Sequence, residues 1–288
     1  MPYIDLQFHS TYSDGSLTPT ELAQFLAKYN VKIAALTDHN TVAGIDEFFV
    51  ACKKFKIKPI TGIEIYARYN SERLNLLFYN FDKNNPELHN FLRRTQIQRK
   101  RNVLRALKYW QEKRFNINID RILEQYNKYL PINGIIRQIR KNPINEKKIK
   151  EDLKMNNPHE GEIIKYYFKT RNRYYLPETR VDVRRLVKLH KQVGGKVILA
   201  HPAKNGVKRK LINKLLKEKV IDGIEILSPH HTWDIISYYQ HISLNFNIIF
   251  TGGSDFHGYS KYPQAIDCSW RYFKIDSKFL PNIHKIIG

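Results

Sequence analysis

Apolar positions along the chain fall into two alternating textures. Short, β-rich runs of strand length occur at residues 3–8 (YIDLQF), 32–38 (KIAALTD), 58–67 (KPITGIEIYA), 74–79 (LNLLFY), 196–202 (KVILAHP), 222–227 (DGIEIL) and 247–251. Segments of helical period lie between most of them. Thr18-Pro19-Thr20-Glu21 offers an N-cap hydroxyl, a proline in the first turn and a glutamate at the third helical position. A helix is therefore expected to about residue 30, with Leu22, Phe25 and Leu26 on one face. Others are expected over about 43–55, 182–193 (stopped by Gly194-Gly195), 211–219 and 233–246. Seven strands that mostly alternate with helices argue for a parallel α/β architecture, either a barrel or a doubly wound sheet.

The rhythm breaks in the middle. From about residue 86 the chain reads as helices only, the longest over 92–112, followed by shorter ones around 118–126, 133–141, 146–155 and 160–169. Residues 93–190 carry 26 Lys or Arg against 10 Asp or Glu, most of the formal net charge of +22. The expected organisation is a barrel formed by 1–85 and 191–288, interrupted by a basic helical insertion over 86–190. The charge suits an anionic partner such as nucleic acid or nucleotides. A composition rich in Ile, Asn and Tyr accounts for it about as well. Cys52 and Cys268 form neither a ligand-spaced pair nor a disulfide framework. With no signal peptide or membrane-spanning run in view, a reduced, cytoplasmic protein is expected, with no membrane association and no evident obligate protein partner.

Chemistry collects where the strand-like runs end. Gln7 and His9 lie two apart on the first, with Asp14 just beyond. His39 follows the second, Glu64 sits inside the apolar third and Asn75 inside the fourth. His201, His231, Asp255 and His257 follow the later ones. A carboxylate in an apolar strand needs a cation or a set of donors, because its unpaired burial costs about several kcal/mol. Strand ends gather on one face of a barrel, which favours the barrel over the doubly wound sheet. Imidazole mixed with carboxylate suits Zn, Mn or Fe, and several such ligands suggest two or three ions. Clustered divalent ions activate water and neutralise phosphoryl oxygens, which points to phosphate-ester hydrolysis.

DLQFHS with Asp14, TDHNT, GIEI, LAHP and GGSDFHG, in this order, resemble the motif series of the PHP (polymerase and histidinol phosphatase) family. Arg99-Lys100-Arg101, Tyr174-Tyr175-Leu176-Pro177 and GGKVILAHPAKN resemble its subgroup acting on nucleotides and short oligonucleotides. The resemblance implies a distorted seven-stranded (β/α)7 TIM-like barrel and up to three divalent metal ions (Mn, Fe or Zn). It further implies a phosphoesterase of the nucleoside 3′,5′-bisphosphate phosphatase or 5′-3′ exonuclease type, working through a metal-activated water on a nucleotide or a short RNA or DNA. By position, Asp14, His39 and His257 would hold one metal. His9, Glu64 and Asp255, with Gln7 in place of a usual histidine, would hold a second. Glu64 and His201, with Asn75 in place of another, would hold a third. Asp255 and His231 would serve catalysis; Lys204, Arg99, Arg101 and His231 would bind substrate, and Tyr174 or Tyr175 would stack a base. Gln7 and Asn75 are neutral and ligate more weakly than imidazole, which leaves open a degenerate domain that binds nucleotide or nucleic acid with little hydrolysis.

Overall fold

The computed structural model describes residues 2–125, 129–169, 180–258 and 275–288. Its strands are β1 (Tyr3–Asp5), β2 (Val31–Leu36), β3 (Lys58–Tyr69), β4 (Glu72–Tyr79), β5 (Val181–Asp182), β6 (Lys196–Leu199), β7 (Gly223–Leu227), β8 (Ile249–Gly252) and β9 (Ile275–Asp276). The helices are α1 (Pro19–Lys28), α2 (Ile45–Phe55), α3 (Pro86–Glu112), α4 (Ile119–Gln125), α5 (Ile132–Arg140), α6 (Pro143–Leu153), α7 (Glu160–Ile164), α8 (Val183–Val193), α9 (Arg209–Lys217), α10 (Trp233–Phe246) and α11 (His284–Ile287). At α1 the expected cap forms in full: the Thr18 side chain accepts from Glu21 N, and Glu21 returns a bond to Thr18 N.

All strands join one sheet in the order β8-β7-β6-β4-β3-β2-β1-β9, with β5 paired to β3. β1, β2 and β3 run parallel, as do β6, β7 and β8. The expectation of a parallel sheet needs correcting at β4, which is antiparallel to both β3 and β6. Only Asn70 and Ser71 separate β3 from β4, and Asn70 adopts φ +53°. A two-residue link makes a hairpin and is far too short for a crossover. The two-residue strands β5 and β9 are additions to the seven strands legible in the sequence.

Beyond their regular segments, β1 and β8 run side by side. Leu6 N donates to Gly252 O (3.2 Å), Asp255 N to Gln7 O (2.9 Å) and His9 N to Phe256 O (2.8 Å). These bonds nearly close the sheet into a barrel. The core includes Leu6, Ile63, Ile65, Leu76, Ile198 and Ile224, each at most 1% exposed. A second cluster built on Phe8, Leu22, Phe48 and Phe256 packs α1 and α2 onto the outside of β1 and β2.

The chain divides into two units, one of Met1–Leu92 with Arg180–Gly288 and one of Arg93–Thr179. The second has its own core, in which Trp110, Ile136, Ile149 and Ile163 are fully buried. Among the described residues, no helix is long and apolar enough to cross a membrane.

Candidate metal centre

The first unit carries its buried acids and imidazoles where the strands end. His9 enters from the irregular continuation of β1, and Asp14 from the loop that follows. Gly15 permits that loop to fold back, since a Cβ there would lie 2.2 Å from the His9 carbonyl oxygen. Asp38 holds the loop in place by accepting from Ser10 N (2.7 Å), Ser10 Oγ (2.6 Å) and Ser13 Oγ (2.5 Å). Asp38 is thus a scaffold for the His9–Asp14 segment, a role its TDHNT context did not reveal. His39 follows β2 and bridges to Glu64 on β3. His201 and Asp255, after β6 and β8, adopt φ +24° and +50°. Left-handed backbone at non-glycine residues costs about 1–3 kcal/mol and tends to mark functional sites.

Among the described residues, two groups of donor atoms result. His9, Asp14, His39 and His257 place one nitrogen or oxygen each within 4.8 Å of one another, and so do His9, Glu64 and Asp255. The His9 ring centroid lies 4.3 Å from that of His39 and 4.2 Å from that of His257, and the latter two are 6.1 Å apart. Asp14 lies 3.4 Å from His257 Nε2 and 3.5 Å from His39 Nε2. His9 Nε2 is 3.2 Å from Glu64 and 3.3 Å from Asp255, and His201 Nε2 is 3.3 Å from the other Glu64 oxygen. His9 and Glu64 are fully buried, while Asp14, His230, His257 and Lys204 are 21–40% exposed and mark the open side.

The electrostatics suit a cation. Burial alone would raise Glu64 and Asp255, but the neighbouring imidazoles hold both well below the usual carboxylate range; Lys204 adds to the effect at Asp255. Burial also works against the ionised form of Asp14, yet His39 and His257 keep it ionised. Desolvation lowers His39 to about 4, so it presents the neutral imidazole that metals bind. His9 is desolvated too, but the carboxylates of Asp255 and Glu64 close to its Nε2 hold it well above the ordinary histidine value. A metal ion competes with that proton for the same lone pair. Neither ring nitrogen of buried His9 makes a well-aligned hydrogen bond. Mixed imidazole and carboxylate donors around such atoms fit a borderline divalent ion of the Mn, Fe or Zn kind.

The other expected site residues are distributed unevenly. Gln7 and Asn75 both adjoin Glu64, donating N–H to it at 3.1 and 2.6 Å. Lys204 Nζ makes a close ion pair with Asp255 Oδ2. His231 turns away: its Nδ1 bonds Ile226 O (2.8 Å) and its ring meets Tyr239 edge-on. Its neighbour His230, which sequence reasoning passed over, puts Nε2 2.7 Å from Asp255 Oδ2. The PHHT run signals an imidazole here but not which of the two. Arg99 and Arg101 lie in the second unit. Arg99 is buried, donating Nε to Leu130 O (2.9 Å) with its guanidinium 4.4 Å from the Tyr129 ring centre, whereas Arg101 is exposed. Tyr174 and Tyr175 fall outside the described residues.

A fold of this kind with such a centre defines a metal-dependent hydrolase, and comparison with known proteins sharpens the class. The PHP domain model matches residues 5–154, and the chain belongs to that family. It is 29% identical over 259 residues to a 5′-3′ exoribonuclease of Haemophilus influenzae, covering 88% of this chain and 89% of that one. It is 23% identical over 271 residues to a 3′,5′-nucleoside bisphosphate phosphatase of Chromobacterium violaceum, covering 89% and 88%. The structure of a proposed metal-dependent phosphoesterase from Bifidobacterium adolescentis superposes with a TM-score of 0.75 at 22% identity, covering 88% of this chain and 87% of that one.

Proposed function

We propose that this protein is a metal-dependent phosphoesterase that hydrolyses phosphate esters of nucleotides or short RNA or DNA oligonucleotides. The convergence of His9, Asp14, His39, Glu64, Asp255 and His257 at one set of strand ends carries the reading. In it, Asp14, His39 and His257 hold one divalent ion, and His9, Glu64 and Asp255 a second. Such ions supply Lewis acidity for phosphoryl oxygens and lower the pKa of water. The protein's own groups do the rest. Lys204, at the open side, meets a phosphate as a point charge. His230, beside it, is placed to pass a proton to the leaving oxygen, a role better suited to it than to His231. The second unit, Arg93–Thr179, acts as a basic insertion into the family's barrel. The insertion, Arg101 included, attracts the polyanionic backbone of an oligonucleotide.

The test is hydrolysis of adenosine 3′,5′-bisphosphate and a 5′-phosphorylated pentanucleotide by metal-stripped protein with Mn restored, alongside His39→Ala and Asp255→Ala. Release of phosphate or mononucleotides that requires Mn and both side chains supports the enzyme. Tight binding of either compound without turnover would instead support a degenerate binding domain, which the amides of Gln7 and Asn75 favour.

A further inference from the structure

The two amides beside Glu64 differ in how firmly they are oriented. Either could ligate a cation only through its carbonyl oxygen, because an amide N–H₂ is purely a donor. Asn75 Oδ1 is engaged elsewhere: it accepts from Arg180 Nη1 at 3.2 Å. The same nitrogen donates to Leu74 O at 3.0 Å, and the guanidinium lies 5.3 Å from the centre of the Tyr66 ring. Arg180 is therefore anchored against β3 and β4. A guanidinium has donors and no acceptor, so it selects the oxygen end of the amide. The nitrogen end is left to face Glu64 Oε1, 2.6 Å away. That carboxylate oxygen also has His201 Nε2 at 3.3 Å. Gln7 has no such anchor: Nε2 faces Glu64 Oε2, and Oε1 is buried without a hydrogen-bond partner.

We infer that the corner of the centre formed by Glu64, His201 and Asn75 takes no metal ion, because Arg180 orients Asn75 to present an N–H where a ligand oxygen would be required. Arg180 is a positioning residue, and two hydrogen-bonding side chains satisfy Glu64 Oε1 in place of a cation. The centre is then limited to ions held by Asp14, His39 and His257 and by His9, Glu64 and Asp255. Gln7, free to turn its oxygen inward, does not close the second of these. The inference rests on the metal-dependent reading above and narrows it to at most two ions.

The experiment counts Mn per full-length chain by mass spectrometry after equilibrium dialysis, and locates Mn by anomalous scattering in crystals grown with MnCl2. The wild type should hold no more than two ions, with no anomalous peak between Glu64 and His201. His201→Gln should leave the count unchanged, while His39→Ala lowers it. Asn75→Asp keeps a partner for Arg180 and presents an oxygen to the corner, so it should add one ion and give a variant whose melting temperature rises with Mn. Arg180→Met, which lets the Asn75 amide turn, should gain Mn at the corner; Arg180→Lys, again a donor without an acceptor, should not. A third ion in the wild type, or the loss of one in His201→Gln, overturns the inference and leaves the phosphoesterase reading standing. A wild-type count of zero, unaltered in His39→Ala, removes that reading while agreeing with a closed corner.

Discussion

His230 and His231 are neighbours in the chain with opposite surroundings. The first reaches Asp255 at the mouth of the centre, and the second bonds its own strand's carbonyl and packs on Tyr239. Proton transfer by a positioned side chain is worth about 10²–10⁴-fold, so His230→Ala should lower kcat on the pentanucleotide by about 10²-fold or more. His231→Ala should leave kcat within about threefold and show its effect as a lower melting temperature. Equal losses of kcat from the two changes would mean that the open side is arranged differently. Cys52 makes a separate residue-scale case. Burial pushes its thiol up to about 12, and it sits fully enclosed in the α1–α2 cluster. Little thiolate forms at pH 8, so native protein should resist iodoacetamide at Cys52, and peptide mapping should find labelling there only after unfolding.

At the scale of elements, local chemistry decides where helices begin and how they lean on one another. In the second unit, Arg140 at the end of α5 grips Glu146 in the first turn of α6 with two bonds, Nε–Oε2 at 2.7 Å and Nη2–Oε1 at 2.9 Å. Arg140 also donates to Pro158 O. The Arg140 bond holds the Glu146 carboxyl below its ordinary value of 4.5. A depressed carboxylate contributes stability above its unfolded-state pKa and loses it as pH falls through the folded one. Both side chains are about a fifth exposed, so solvent screening limits the pair to about 0.5–1 kcal/mol. Glu146→Gln should therefore speed native-state hydrogen exchange in α6 at pH 7, and the difference from wild type should shrink below about pH 4. A difference independent of pH would assign the effect to packing.

For the whole molecule, the governing quantity is a net charge of +22, most of it carried by residues 93–190. Released counterions make binding to a nucleic-acid backbone strongly salt-dependent. KM for the pentanucleotide should rise about tenfold or more between roughly 50 and 200 mM NaCl, and that for adenosine 3′,5′-bisphosphate much less. Equal salt dependence for both would leave the basic surface without a part in substrate capture.

The sequence by itself determined the seven principal strands, the helices around them and the run of helices described between β4 and β5, because period, caps and breakers act over a few residues. Thr18 with Glu21, and Gly194 after α8, are visible without a fold. The identities of the buried acids and imidazoles were equally legible, since a Glu in an apolar strand announces a partner even when the partner is unknown. What only the tertiary structure decided depends on distant neighbours. It decided that β4 runs against its sheet, that Asp38 braces a loop, that Arg99 is buried among its own helices, and that His230 rather than His231 reaches Asp255. It also decided the direction of the Asn75 amide, which is set by Arg180, 105 residues further along the chain. Spacing can name the groups that carry the chemistry, but hydrogen-bond direction and charge proximity exist only once separate strands stand side by side.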